Sequence, residues 1–298
     1  MTRGRLALLW VVGFMLASSS MVAVSPVAVA TPGDAGVFSV RCVFSHNASD
    51  DPIVSPGRPG EAHGHEFFAN RSTNASSTYG SMLAGGTTCP LTGDTAAYWY
   101  PSLMAPDGTR VPPVQVLAYY RSAPRTDTQT IPADLRMIAG GNTNLPPAPN
   151  LAQRSLSWSC VDTGPFSTTP PNCGKKQIKA HVHFPWCWDG ANLDSADHRS
   201  HMAYGSSGRT CPATHPVMLP RLTLHVTYEV KNATGYMLAS DGMFGLPSGT
   251  SLHADFWQTW DQGVLDFLVN RCLRGGESCK DMTDQKLAAL GSGITPVT

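Results

Sequence analysis

The chain has 298 residues, 21 basic and 21 acidic side chains, a charged fraction of only 14% and a formal net charge of 0. So neutral and charge-poor a chain has no electrostatic footprint for nucleic acid or an anionic membrane, and neither is an expected partner. Its 28 glycines and 24 prolines argue against a mainly helical protein, because both residues weaken or break helix interiors.

Residues 1–30 read as a secretory signal: Arg3 and Arg5 open it, Leu6 to Ala17 form an apolar run, and Ala28-Val29-Ala30 supplies small residues for cleavage. The run is short for a bilayer span, so the expectation is a secreted, extracellular protein with no membrane contact beyond the signal; an uncleaved anchor is the alternative. Loss of Arg3 and Arg5 with that segment moves the formal charge from 0 to −2. Eight cysteines in an exported chain point to disulfides. They allow about 105 pairings, of which the sequential set, Cys42–Cys89, Cys160–Cys173, Cys187–Cys211 and Cys272–Cys279, is the working expectation. Thiolate metal ligation needs clustered short spacings that this chain lacks.

After the signal, VFSVRCVF at residues 37–44 is the first predicted strand. A Pro/Gly-rich loop then leads to His63-Gly64-His65, whose imidazoles share one face if the segment is extended. Residues 96–103 and 114–121 read as strands, with Pro101 at a strand end or sheet edge. Their five aromatics, Tyr98, Trp99, Tyr100, Tyr119 and Tyr120, are expected in the core, with sugar stacking as the other use of such rings. Weaker strands follow near residues 135–139 and 155–160.

Residues 177–184 alternate, with Ile178, Ala180, Val182 and Phe184 on one face and His181 and His183 on the other. Residues 221–230 repeat the pattern and put His225 outward. All three histidines are therefore expected on solvated faces. Between these strands, residues 181–204 hold four histidines, three aspartates and two tryptophans, with turn chemistry in the middle, which marks an ordered functional loop. His253-Ala254-Asp255 gives a second same-face pair. From Trp257 the apolar spacing lengthens to three or four residues, predicting one amphipathic helix that ends at Gly275-Gly276. Residues 280–298 read as a partly ordered tail. No repeat or long linker is visible, so residues 31–279 are taken as a single, mainly β domain, an antiparallel β-sandwich or jelly-roll-like fold with long loops and one C-terminal helix.

The string DDPIVSPGRPGEAHGHEFF, the strand YWYPSL, CWDG followed by LDSADHRSHMAY, CPATHPVMLP and LHADFWQTW together resemble the DUF1996 family of secreted bacterial and fungal proteins over roughly residues 38–272. The family's function is undefined. Fungal members include wall-associated proteins, some fused to carbohydrate-binding modules, and the resemblance implies a polysaccharide setting. It carries over to His63, His65, Asp189, Asp194, Asp197, His198, His201, His253 and Asp255. The sequence departs from the family pattern at Ala62, where Ser is usual, and at Ala196, where Pro is usual; neither removes a titratable group.

Three functional expectations follow. A secreted enzyme acting on extracellular polysaccharide would use two carboxylates, Asp197 with Asp255 as the preferred pair and Asp189 and Asp194 as further candidates, with His63, His65, Trp188, His198 and Trp257 contacting substrate. A metal-dependent enzyme would hold a divalent cation through His65, His201 and His253. A non-catalytic wall-binding protein would instead present an exposed aromatic row over buried Asp/His braces. In the first two readings, the HxH, DHxxH and HxD steps at 63–65, 197–201 and 253–255 meet in one site. No GxSxG elbow and no phosphate-binding glycine loop is present.

Overall fold

The computed structural model describes residue 1 and residues 36–122, 127–141, 156–206 and 210–294. The expected signal segment and the loop GGNTNLPPAPN, beyond Gly141, lie outside the described residues. Ten strands form the main sheet: β1 (Val37–Ala48), β2 (His65–Ala69), β3 (Ala97–Pro101), β4 (Gln115–Arg121), β5 (Arg136–Gly140), β6 (Leu156–Cys160), β7 (Thr163–Ser167), β8 (Ile178–His183), β9 (Arg221–Tyr228) and β10 (His253–Trp257). Their order is β5-β10-β3-β2-β1-β4-β9-β8-β6-β7, all antiparallel, and Ser278–Cys279 adds a short parallel pairing to the start of β1. The fold is mainly β, as expected.

The alternation that the sequence shows is what lets this sheet close on itself. β1 pairs with β4 through residues 37–43, then shifts register between Phe44 and His46 and pairs with β2 through residues 44–48. A bulge of this kind bends the strand and increases its twist. The sheet curls there, and its two halves pack against each other like a sandwich: Tyr100 of β3 meets Tyr228 of β9, and Phe256 of β10 meets Phe184 just after β8. The inward set Ile178, Ala180, Val182, Leu222, Leu224 and Val226 is buried, and so are Tyr98, Trp99, Tyr100 and Tyr120. Tyr119 is half-buried.

The β2-β3-β10-β5 half also has a buried outer face. Phe67, Trp99, Ile138 and Trp257 pack there with Ile53 from the loop before β2 and Met82 from the short helix α1 (Tyr79–Leu83). Apolar residues on this second face explain why HEFFA and AYWYP read as continuous rather than alternating runs.

The single expected helix is corrected to four short ones. Trp257 remains in β10 because it still pairs with Arg136 and Ala97, and the helix begins only after Asp261, whose carboxylate accepts from the Val264 N–H. Besides α1 there are α2 (Ala239–Phe244), α3 (Gln262–Leu268), which continues as a π-helical turn through Arg274, and α4 (Asp284–Ala289). At Gly275 a Cβ would stand 2.3 Å from the Arg271 carbonyl oxygen, so this glycine ends the element at the expected place. The tail is docked as far as residue 294, with Met282 and Leu287 in the core. No described helix is long and apolar enough to cross a membrane.

All four disulfides have the sequential pairing, a set that suits an oxidising extracellular environment. Cys187–Cys211 closes the polar loop across a separation of 24 residues. Replacing both cysteines by serine is expected to cost about 3 kcal/mol in urea unfolding, from the chain entropy returned to the unfolded state. Non-reducing peptide maps of the exported protein should recover the Cys187–Cys211 peptide, and a free Cys187 thiol would contradict the pairing.

Candidate functional site

The outer face of the β2-β3-β10-β5 half carries the chemistry. Side chains at positions i and i+2 of a strand share a face, so His65 and Phe67 stand outward on β2, and His253, Asp255 and Trp257 stand outward on β10. β3 lies between these two strands, with Pro101 opposite His65 and Trp99 opposite both Phe67 and Asp255. The compact Pro101 leaves room for the imidazoles on either side to lean together. His65 Nε2 and His253 Nε2 are 3.5 Å apart, and His63 Nε2, from the turn just before β2, is 3.2 Å from His253 Nε2.

Backbone carbonyls aim these rings. His65 Nδ1–H donates to the Asp50 carbonyl at 2.9 Å, and His253 Nδ1–H donates to the Ser251 carbonyl at 2.7 Å. Each bond fixes the tautomer and leaves Nε2 as a bare lone pair. Ser251 is itself held by Asp241, a fully buried carboxylate that accepts from the N–H groups of Leu238, Gly249 and Ser251 and from the Ser251 hydroxyl. His253 also packs against the backbone of Gly141, where a Cβ would fall 2.5 Å from its own Cβ.

Two carboxylates complete the cluster. Asp255 is 1% exposed; its Oδ2 has no hydrogen-bond partner and lies 3.9 Å from His253 Nε2. Asp51 is 5% exposed and accepts through Oδ1 from the N–H groups of Ile53 and Val54. One atom each of Asp51, His65 and Asp255 lies within 4.8 Å of the others, as do the ring nitrogens of His63, His65 and His253. Burial holds His63 at about 4 and His253 at about 3, and holds His65 well below the usual imidazole value. The rings are therefore neutral near pH 7. Burial, reinforced by the neighbouring Asp51, pushes the Asp255 carboxyl well above the usual range.

The HxH and HxD steps thus meet as expected, but the DHxxH step is spent inside its own loop. Asp197 is exposed and accepts from the Ser195 hydroxyl and from the N–H groups of Arg199 and Ser200, which lowers its pKa. His201, expected as a ligand, has Ser195 Oγ on Nδ1 and the Arg136 carbonyl on Nε2, so neither nitrogen is left for a metal. Asp194 binds Arg136 and His198, Asp189 braces the turn at Ala191 and Asn192, and the Trp188 indole donates to the Asn192 carbonyl. Trp257 is buried beneath the Arg136 guanidinium at 4.1 Å and donates to Asp134. These groups anchor the loop on the end of β5. Asp255 thus has Asp51 rather than Asp197 as its close carboxylate, and His63 rather than His201 stands with His65 and His253. The sequence expectations give no role to Asp51 or Asp241. Asp51 is the second residue of the string DDPIV, its one signal; nothing local marks Asp241.

The large rings are mostly buried, and among the described residues the exposed ones are Phe166 and Phe244 rather than an aromatic row. Elsewhere, the solvated placement of His181, His183 and His225 is corrected. His181 is 5% exposed, lies under Phe166 and contacts His225 through their Nδ1 atoms at 2.7 Å. One donor assignment satisfies the whole chain: His225 Nδ1–H donates to His181 Nδ1, His181 Nε2–H to Ser159 Oγ, and the Ser159 hydroxyl to the Cys160 carbonyl. His183 pairs with the Thr223 hydroxyl. The third close Cys/Asp group, Cys42, Cys89 and Asp94, is closed to metal because its two thiols form a disulfide.

A family model described as a domain of unknown function, DUF1996, matches residues 51–260. The match runs from Asp51 to Trp260 and contains every residue of the cluster. No curated protein and no solved structure matches the chain.

Burial holds His181 at about 3, His183 at about 4 and His225 at about 2, with Lys179, Arg121 and the other histidines adding repulsion of a further charge. An unfolded chain binds these protons near pH 6.5, whereas the folded one refuses them down to about pH 3 or 4. Stability is then complete above pH 6.5 and falls as the pH drops below it, by up to about 1.4 kcal/mol per pH unit for each histidine. Urea midpoints from pH 7 to pH 5 should fall, and should fall less steeply in the His181→Gln/His225→Gln variant. An unchanged pH slope would contradict the buried, neutral pair.

Proposed function

The chain belongs to the DUF1996 family, and from that premise we propose that it is a secreted, metal-dependent hydrolase of extracellular polysaccharide, with a divalent transition ion, zinc first, held by His63, His65, His253 and Asp255. The observation that carries this reading is the convergence of three neutral imidazole nitrogens at 3.2 and 3.5 Å. Two of the lone pairs are pinned toward each other by backbone acceptors, an arrangement that repels unless a cation stands between them. Zinc–nitrogen bonds of about 2.0–2.1 Å space tetrahedral ligands about 3.3–3.4 Å apart, which matches the observed separations. Two buried carboxylates alone would share a proton, as an acid dyad does; the three imidazoles aimed beside them support a metal instead. An oxidising exterior, suited by the four disulfides, and the wall setting implied by the family resemblance support the substrate class.

When bound, such an ion would need to admit a water beyond the four protein groups; it would bring the pKa of that water to about 7 and polarise a substrate oxygen. The protein's own groups divide the remaining work. His65 and His253 keep their orientation through the Asp50 and Ser251 carbonyls, and Asp255 offers its unpartnered Oδ2 as the anionic ligand. Asp51 spends Oδ1 on two backbone N–H groups and keeps Oδ2 for a proton, which suits it to take one from the attacking water and return it to the leaving oxygen.

Equilibration with zinc followed by metal analysis should give one ion per chain. His65→Gln, His253→Gln and Asp255→Asn should lose it, while Asp197→Asn should keep it. Gly141→Ala should weaken binding about 10- to 100-fold by displacing His253. Polysaccharide cleavage, screened with and without a chelator, should require the ion. A folded wild-type chain that retains no stoichiometric metal after exposure to zinc, manganese, copper and iron would overturn the reading.

A further inference from the structure

Arg199 stands apart from the other arginines around this face. Arg136 is paired with Asp194 and Asp134 and stacked on Trp257, and Arg110 is paired with Glu66. Arg199 is half-buried, yet among the described residues its guanidinium makes no hydrogen bond and has no carboxylate within 4.0 Å. Its backbone is fixed, because the N–H is held at 3.1 Å by both Ser195 Oγ and Asp197 Oδ1. The loop around it is anchored to β5 through His201 and Asp194 and closed by Cys187–Cys211. The loop that carries Arg199 lies beside the cluster, because Arg136, which it grips, pairs with Trp257 and stands two residues along β5 from Ile138, the partner of Asp255 on β10. A guanidinium that has lost much of its water normally has a planar anionic partner.

On the His63 side stands a group of opposite character. Phe244, the last residue of α2, is 56% exposed, and its ring is 6.3 Å from the His63 ring. Its neighbour Met243 is 54% exposed. They form an apolar ledge beside the imidazole at the edge of the cluster.

Resting on the metal-site reading above, we infer that the ligand taken here is an acidic sugar, its carboxylate received by Arg199 and its apolar ring face laid on Phe244, with the metal site between them. A carboxylate matches the guanidinium fork through two parallel hydrogen bonds, and a pyranose offers aliphatic C–H groups to an aromatic ring. A neutral glycan would leave Arg199 without a partner. Inorganic phosphate shares the oxyanion chemistry but has no face for Phe244.

The test is calorimetric titration of the zinc-loaded full chain with a galacturonic-acid trimer, the neutral galactose trimer and inorganic phosphate. The acidic trimer should bind at least about tenfold more tightly than the neutral one. Arg199→Gln should erase that preference while zinc stoichiometry stays unchanged, and Arg199→Lys should restore part of it. Phe244→Ala should weaken both trimers and leave phosphate unaffected. Equal binding of the acidic trimer by zinc-loaded wild type and Arg199→Gln overturns the inference with the metal reading intact, and so does Arg199-dependent binding of phosphate alone. Failure of the folded wild type to take zinc, manganese, copper or iron overturns both.

Discussion

Charge burial is the constraint on which the site depends. Asp51, His65, His253 and Asp255 are all less than a tenth exposed, Asp51 and His253 each close to His65 and Asp255, and among the described residues no lysine or arginine lies within 4.0 Å of either carboxylate. Bare imidazole lone pairs facing one another and a carboxylate oxygen without a donor are each costly in a site with little water. A divalent cation, as proposed, would meet all of these needs at once. The same burial that makes the protein-only arrangement expensive also keeps the histidines neutral, the form in which they ligate.

The fold supplies this cluster by giving one half of a curled sheet a second buried face. Most antiparallel sheets leave one face to water; here the loop before β2, helix α1 and the polar loop anchored on β5 cover it. Strand order then does the positioning. Because β3 separates β2 from β10, segments almost 190 residues apart in the chain stand one strand apart in space, and the strand between them ends in a proline. Gly141 and Asp241 complete the arrangement, one by leaving space for the His253 ring and the other by fixing Ser251, whose carbonyl orients it.

The richest polar stretch of the chain proves to be support. Its aspartates and histidines satisfy backbone donors, Arg136 and one another, and so hold a long loop rigid over the end of β5 and β10. That rigid loop also carries Arg199, whose side chain has no hydrogen-bond or carboxylate partner within reach among the described residues. An exposed aspartate that accepts three hydrogen bonds is well suited to shaping a turn and poorly suited to donating a proton.

The sequence by itself determined the β class, the main strands and the inward faces, because alternation and β-branched or aromatic runs report a strand's local surroundings; the cysteine pairing it left open. It also marked HxH and HxD, since two-residue spacing in a strand is a local property. Only the tertiary structure decided which polar residues are free to bind. Alternation places His181 and His225 on an outer face but cannot show that Phe166 and a neighbouring imidazole cover it. Likewise, DHxxH has the residue types of a site, yet its hydrogen-bond partners, Ser195 and the Arg136 carbonyl, come from the loop's own folding and from a strand more than 60 residues away. Ligand character belongs to a side chain left unsatisfied once all others are paired, and that accounting closes only when the whole chain is folded.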